Sequence, residues 1–432
     1  MMKYTISKQA DERIERDMQF ICKEVLEKIK GTESIILTGG FSRREGPVKV
    51  IGKEFFLYND YDIQIISSSK VTKEEIDKIS TEISQKLGYK GISNFYPFKK
   101  DEQKIKDNFY LDLKCDTIQD LKKLLPRIRT YELRNKSLVL WNKDLKKDLR
   151  QNIPDYNLKD IPLSEGAKLL LDRMSQLIEY YSTEKKYDKE FLTYIIQQAY
   201  AACCTSLLLI SGKYEIGYKK SMEILKKTYK QDFPELYSKI PELSKKIEEF
   251  ILWKINPQKI PNENVEEEWF IAKENIIEVS KYFFSKFLNR KIENIDDLAR
   301  GILGMKKEFY SPYIKEMVKR KIKIKMINSL PLWRSKLLTN GASIFLNKNY
   351  NKRLKDQGIP FKTSFFKSPD LVIFSSLVYI IDSIHRGNKV EGRELNEGEK
   401  MLSLVYPVKG KNWEEISLDY ANAYISFFLQ KV

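Results

Sequence analysis

Ser34 to Thr38 (SIILT) is a short β-branched stretch that runs straight into Gly39 and Gly40, and nineteen residues separate Gly40 from Asp60 and the acidic stretch Tyr58-Asn59-Asp60-Tyr61-Asp62-Ile63. A strand that stops on two glycines can turn sharply and bring its backbone close to a ligand, because glycine has no Cβ and tolerates positive φ. Period-two alternation in the acidic stretch sets Asp60 and Asp62 on one strand face, while Leu57, Ile63 and Ile65 supply apolar contacts to the other. The N-terminal part of the chain must therefore contain a sheet with polar groups converging at one end.

The flanking segments fit that sheet. Residues 9 to about 30 place Ile14, Met18, Ile21, Val25, Leu26 and Ile29 at near-helical spacing, which predicts an opening amphipathic helix. Phe55 to Ser67 reads as one long strand, 71–87 as a helix beginning near Thr72, and Phe109 to Asp116 as a further strand. Thr130 to Leu133 and Ser137 to Trp141 read as a closing strand pair. After about residue 155 the period changes. Leu163, Ala167, Leu170, Leu171, Met174, Leu177, Ile178 and Tyr181 follow 3.6-residue spacing, with Pro162 and Ser164 at the start. Further helices are expected at 187–211, 216–230, 235–254, 264–289 and 368–385, with a last one closing the chain. The expected class is α+β: a mixed sheet flanked by helices over residues 1–155, a helical domain over 156–310, and a basic, mainly helical region over 311–432.

Composition narrows the setting. The chain has 432 residues, enough for more than one core, and an ordinary 42% of hydrophobic residues. Its four cysteines, at 22, 115, 203 and 204, match neither a zinc site nor a disulfide framework, and the charged N-terminus lacks an apolar signal core. Reduced thiols and a cytoplasmic location are expected. Leu371 to Ile384 is too short and too polar to span a membrane and reads as a buried helix, so no membrane association is expected. Of the net charge of +17, an excess of +12 falls between Lys315 and Lys367. That stretch could hold the phosphates of RNA or of another phosphate-rich acceptor, or be a solvated lysine-rich surface.

The chemistry follows from the residue types. Gly39 and Gly40, with Ser42 and Arg43 as donors, form an anion cradle. Asp60 and Asp62 are hard oxygen ligands at a spacing that suits Mg²⁺, an ion that keeps several waters and takes one or two carboxylates plus substrate phosphates. A third carboxylate comes from Tyr110 to Asp116, where Asp112 in mid-strand is preferred over Asp116 at the strand end. Lys168, one turn into the helix that starts near Ser164, could neutralise a triphosphate; an exposed lysine paired with Asp172 at i+4 is the commoner explanation. Arg173 lies further along the same helix, and Arg43 and Glu132 could equally form an ion pair at a core edge. His385, the only histidine, offers no catalytic pair.

In this order, a strand, GGxSR, a DxD strand, a helix and a third acidic strand resemble the DNA polymerase β superfamily of nucleotidyltransferases over roughly residues 30–120. The resemblance implies phosphate binding by Gly39, Gly40 and Ser42, metal binding and catalysis by Asp60, Asp62 and Asp112, two Mg²⁺ ions (Mn²⁺ as a substitute), and an NTP substrate, ATP first. The gap from Gly40 to Asp60 exceeds the family's usual one, so Gly46 to Phe55 is expected to form an added hairpin or extended loop. Over about 35–180 the chain is also similar to a group of large prokaryotic nucleotidyltransferase-domain proteins sharing the TGGxxRxEG…NDYD pattern, LPRIRTYEL (Leu125 to Leu133) and IPLSEG (Ile161 to Gly166). That likeness implies a class and no acceptor. The alternative is a catalytically silent nucleotide- or nucleic-acid-binding protein of the same fold.

Overall fold

The computed structural model describes residues 3–52, 54–89, 111–184, 187–306, 308–310, 344, 347–359 and 368–429. The opening helix α1 (Lys8–Lys28) begins where Ser7 accepts a hydrogen bond from the Ala10 amide, and buries Ile14, Met18, Ile21 and Val25. It covers one face of a four-stranded sheet, β5-β4-β1-β6, formed by β1 (Thr32–Leu37), β4 (Tyr61–Ser67), β5 (Leu111–Thr117) and β6 (Leu138–Asn142). β1 runs antiparallel to both β4 and β6, and β4 and β5 are parallel. A parallel pair needs a crossover, which α3 (Lys73–Lys86) supplies from a Thr72–Glu75 capping box. The other sheet face packs Ile36 and Ile66 against Leu121, Leu133 and Ile153.

Two readings of this region need correction. Phe55 to Ser67 is not one strand. Residues Glu54–Leu57 (β3) pair with Val48–Ile51 (β2) as a separate hairpin, and the chain leaves extended pairing at 58–60. The break has a cause: Tyr58 is buried in the core of the helical half, with its hydroxyl donating to Glu190 and its ring edge-on to Trp253 at 5.8 Å. The hairpin is the expected insertion between 46 and 55, pinned down by an ion pair from Lys49 to Glu190 and by the Gln258 amide donating to the Val48 carbonyl at 3.1 Å. Thr130 to Leu133 is likewise not a strand but the middle of a helix, α5 (Ile128–Lys136), preceded by α4 (Ile118–Leu121). Its buried residues, Thr130 and Leu133, stand three apart, so the helical period prevails over the apparent alternation.

The helical half is built on α6 (Ser164–Tyr180) and α7 (Lys189–Ile210), followed by α8 (Tyr218–Asp232), α9 (Pro234–Lys239), α10 (Leu243–Ile255), α11 (Val265–Phe287) and α12 (Ile295–Gly304). The single helix expected over 235–254 is two, separated around Pro241, which cannot continue a helix. After a helical stretch at 347–356 come α13 (Pro369–Asp382), α14 (Gly392–Leu402) and α15 (Trp413–Tyr424), which share one core with α6 and α11. α13 is buried along its length, as the reading of 371–384 anticipated. α7 is the one described helix long and apolar enough to cross a membrane, and 83% of its most apolar window is buried in the protein. Most of the basic stretch 315–367, including Lys319 to Lys325, lies outside the described residues.

Candidate active site

At the end of the sheet where β1 stops, the parallel register sets Asp62 directly opposite Asp112. Gly39 fits beside them only as glycine. Its φ is +69°, and a Cβ there would lie 2.3 Å from Asp62 Oδ2. The expected tight turn is a single helical turn, Gly39–Ser42 (α2), in which the Ser42 hydroxyl lies 2.8 Å from the Gly39 carbonyl and 3.0 Å from that of Lys136. Ser42 thus ties α2 to the end of α5.

Asp62 and Asp112 stand side by side on the two strands, and burial together with the charge of Asp112 pushes Asp62 up to about 6. Burial raises Asp112 as well, against the opposing pull of Arg129. Two carboxylates forced together out of water require a proton or a cation between them. Cations are close: Lys114 Nζ lies 3.0 Å and Arg129 3.8 Å from Asp112 Oδ2. Asp116 is elsewhere, opposite Ile66 and bonded to Gln64 at 3.0 Å, so the neighbour of Asp62 is Asp112.

Asp60 precedes β4, at the point where Tyr58 draws the chain toward the helices. Its neighbour Asn59 accepts a hydrogen bond from the Tyr194 hydroxyl at 3.4 Å, and Tyr194 feels the charge of Asp60. Among the described residues no three Asp, Glu, His or Cys side chains are gathered as a ready-made metal cage. The structure brings Asp62 and Asp112 together, while Asp60 stands two residues before Asp62, just ahead of β4. The donor set still fits Mg²⁺, which binds through one or two carboxylates and completes its shell with water and substrate phosphate.

Next to the pair, and sharing Arg129 with it, α5, α6, α7, α8 and α10 line a cavity of about 530 Å³ whose walls include none of the three aspartates. Glu165, Lys168, Leu169, Asp172 and Arg173 reach it from one face of α6, at the i, i+3, i+4, i+7, i+8 spacing of a helical stripe. Lys168 therefore faces the cavity. The ion pair to Asp172 that its spacing allowed does not form; Asp172 accepts from the Tyr424 hydroxyl at 2.9 Å. Arg43, also on the cavity wall, sits between Glu45 (3.5 Å) and Glu132 (3.2 Å) with its side chain 8% exposed. Glu45 in turn accepts from the Tyr218 and Lys219 amides at the start of α8. These bonds make Arg43 first of all a staple between sheet and helices, the ion-pair reading of that residue.

Sequence reasoning missed Lys254 and Arg129. Lys254 is 3% exposed on α10, with Nζ 4.4 Å from the centroid of Tyr218, 5.9 Å from that of Tyr194 and 3.4 Å from Gln197 Oε1. Burial, then the charges of Arg173 and Arg43, lower it to about 7. A lysine inside the apolar run Phe250 to Ile255 (FILWKI) was the available signal, since a cation is seldom buried without an anionic task. Arg129 carries no such mark in sequence.

No family model matches the chain, and no curated protein matches it in sequence. Among solved structures it is similar to the crystal structure of spectinomycin adenyltransferase AAD(9) from Enterococcus faecialis with ATP and spectinomycin. The identity is 14%, the match covers 61% of this chain and 98% of that one, and the TM-score is 0.35. A likeness at that level concerns coarse shape and says nothing of the chemistry.

Proposed function

We propose that this chain is a Mg²⁺-dependent nucleotidyltransferase that moves a nucleoside monophosphate from an NTP, ATP first, to a hydroxyl or phosphate acceptor. The observation that carries the reading is the Asp62–Asp112 pair, set against Gly39 at the sheet end with Arg129 3.8 Å from Asp112. Asp62, Asp112 and Asp60 would hold the metal ions, which when bound polarise the acceptor oxygen and neutralise the triphosphate. The turn at Gly39 and Gly40 lets the phosphates approach the backbone. Lys254, Arg129, Lys168 and Arg173 offset negative charge that accumulates on transfer. The acceptor oxygen bonds to the α-phosphorus, the bond from that phosphorus to the bridging oxygen breaks, and pyrophosphate leaves with the electron pair. With a hydroxyl acceptor, the proton passes to a carboxylate oxygen beside the acceptor.

The test is incubation with each α-labelled NTP, Mg²⁺ and a cell extract, with pyrophosphate release and labelled product as readouts. Label transfer that vanishes in Asp62→Asn supports the reading, and no turnover with any NTP overturns it. One observation favours the silent alternative: the ion pair from Lys114 already offsets the charge of Asp112. That reading predicts nucleotide binding indifferent to Mg²⁺.

A further inference from the structure

Two polar side chains meet on the face of the sheet that α1 covers, directly behind the carboxylates. Tyr61, the residue between Asp60 and Asp62, packs in the same core as Ile63 and Ile65, and its hydroxyl donates to Asp17 Oδ2 at 2.9 Å. Asp17 is itself 4% exposed, on the face of α1 that buries Ile14, Met18 and Ile21, and its other oxygen accepts from Arg13 at 2.8 Å. The Tyr61 ring meets Phe41 edge-on at 4.9 Å. One tyrosine therefore joins the strand that carries Asp62 to the helical turn that carries Gly39 and Gly40.

The start of β4 needs such an anchor. Immediately upstream the chain leaves the sheet, because Tyr58 is drawn into the core of the helical half. The Thr38 amide donates to the Asp62 carbonyl at 2.8 Å and fixes the strand sideways, while the Tyr61 hydroxyl fixes it against α1. The beginning of β5 is held in the same manner. Leu111 stands opposite Tyr61 and directly before Asp112; its amide donates to Ser84 Oγ at 3.1 Å and its carbonyl accepts from the Ser80 hydroxyl, both serines being buried on α3. Helix stability alone does not require Asp17 to be buried, since an i,i+4 pair with Arg13 would serve α1 equally well on its surface. Polar anchors inside an apolar core add little stability over apolar side chains of the same size; what they can add is one fixed geometry.

We infer that Asp17 acts through Tyr61 as a positioning residue, setting the start of β4 so that Asp62 faces Asp112 as metal binding requires. This rests on the nucleotidyltransferase reading and extends it to residues outside the proposed metal and nucleotide contacts. Mg²⁺ tolerates little departure from octahedral geometry, so a carboxylate that shifts at the start of its strand holds the ion less well.

The full chain is titrated with α,β-methylene-ATP, an analogue that cannot transfer its nucleotide, at a series of Mg²⁺ concentrations. The Mg²⁺ concentration that gives half-maximal analogue binding is read by calorimetry. Tyr61→Phe removes the hydroxyl and keeps the ring beside Phe41, and should raise that concentration about tenfold. Asp17→Ala should raise it about as far, and the two substitutions together no further, because both break one bond. Val25→Ala removes buried methyl groups about two turns further along α1 and controls for general loosening. Its Mg²⁺ requirement should stay within about twofold of wild type. The inference is overturned if Tyr61→Phe stays within about twofold of wild type, if Val25→Ala shifts as far as Tyr61→Phe, or if the effects of Tyr61→Phe and Asp17→Ala multiply. Wild-type protein that binds no analogue at any Mg²⁺ concentration, or binds it equally without Mg²⁺, gives a different result: the nucleotidyltransferase reading falls, and the positioning role with it.

Discussion

The two halves of the molecule contribute opposite charges to one site. The sheet half brings Asp60, Asp62 and Asp112 to the start of β4 and β5; the helical half brings Lys168 and Arg173 on α6 and Lys254 on α10. Each half keeps its contribution out of water at a cost to its own folding, since Asp62 is held above the usual carboxylate range and Lys254 below the usual amine range. Neither cost has a purpose within its own half. Both are consistent with a ligand that carries cations to the aspartates and anions to the basic groups.

The largest effect expected falls on the sheet half. Asp62→Asn keeps the shape of the site and removes a metal-binding carboxylate, so label transfer from α-labelled NTP should fall about a thousandfold or more. A variant within tenfold of wild type would dissolve the contrast between the halves, because the acidic side would then be dispensable.

Next comes the link between them. Arg43→Met leaves the buried Glu45 and the half-buried Glu132 without their counter-ion, and about 3 kcal/mol of stability should be lost in denaturant titration. An unchanged midpoint would mean that Arg43 is not the staple described.

The contrast is sharpest in pH. Asp62 has a raised folded-state pKa, so the stability its neutral form lends is complete below the ordinary carboxylate range and lost as pH rises through about 6. Lys254 has a lowered one, so the stability of its neutral form is present at high pH and lost as pH falls through about 7. In metal-free protein, Asp62→Asn should therefore stabilise most above pH 6, and Lys254→Met most below pH 7. Each gain should be on the order of 1–3 kcal/mol in thermal melts across pH. Gains that run in the same direction with pH would refute the assignment of opposite costs.

The smallest effect belongs to the hairpin. Glu190→Gln weakens its contacts to Lys49 and Tyr58 and should cost about 1 kcal/mol or less, with transfer activity nearly unchanged. A large loss of transfer would show that the hairpin sets the position of Asp60.

What could be read in the sequence divides along the same line. The sheet half announced itself through local signals: β-branched runs, Gly39-Gly40, and carboxylates at alternating positions. Its misreadings arose where distant contacts intervene, at Tyr58, drawn out of the strand by Glu190 and Trp253, and at Thr130 to Leu133, four residues that fit either period. Most helices of the second half were legible from apolar spacing; the interruption near Pro241 and the helices α12 and α14 were not. Its share of the site was not. Lys168 looks like a surface lysine until α7 and α8 close over it, and Arg129 meets Asp112 only because α5 passes over the sheet end. Carboxylates on neighbouring strands leave a pattern in sequence; cations gathered from separate helices leave almost none.

The central claim is that both halves serve one Mg²⁺-nucleotide site, and calorimetric titration of α,β-methylene-ATP with and without Mg²⁺ tests it most directly. Wild-type protein should bind the analogue only when Mg²⁺ is present, and Asp62→Asn and Lys254→Met should each weaken that binding about tenfold or more. Binding that is equally tight without Mg²⁺, or that survives both substitutions, would contradict the account.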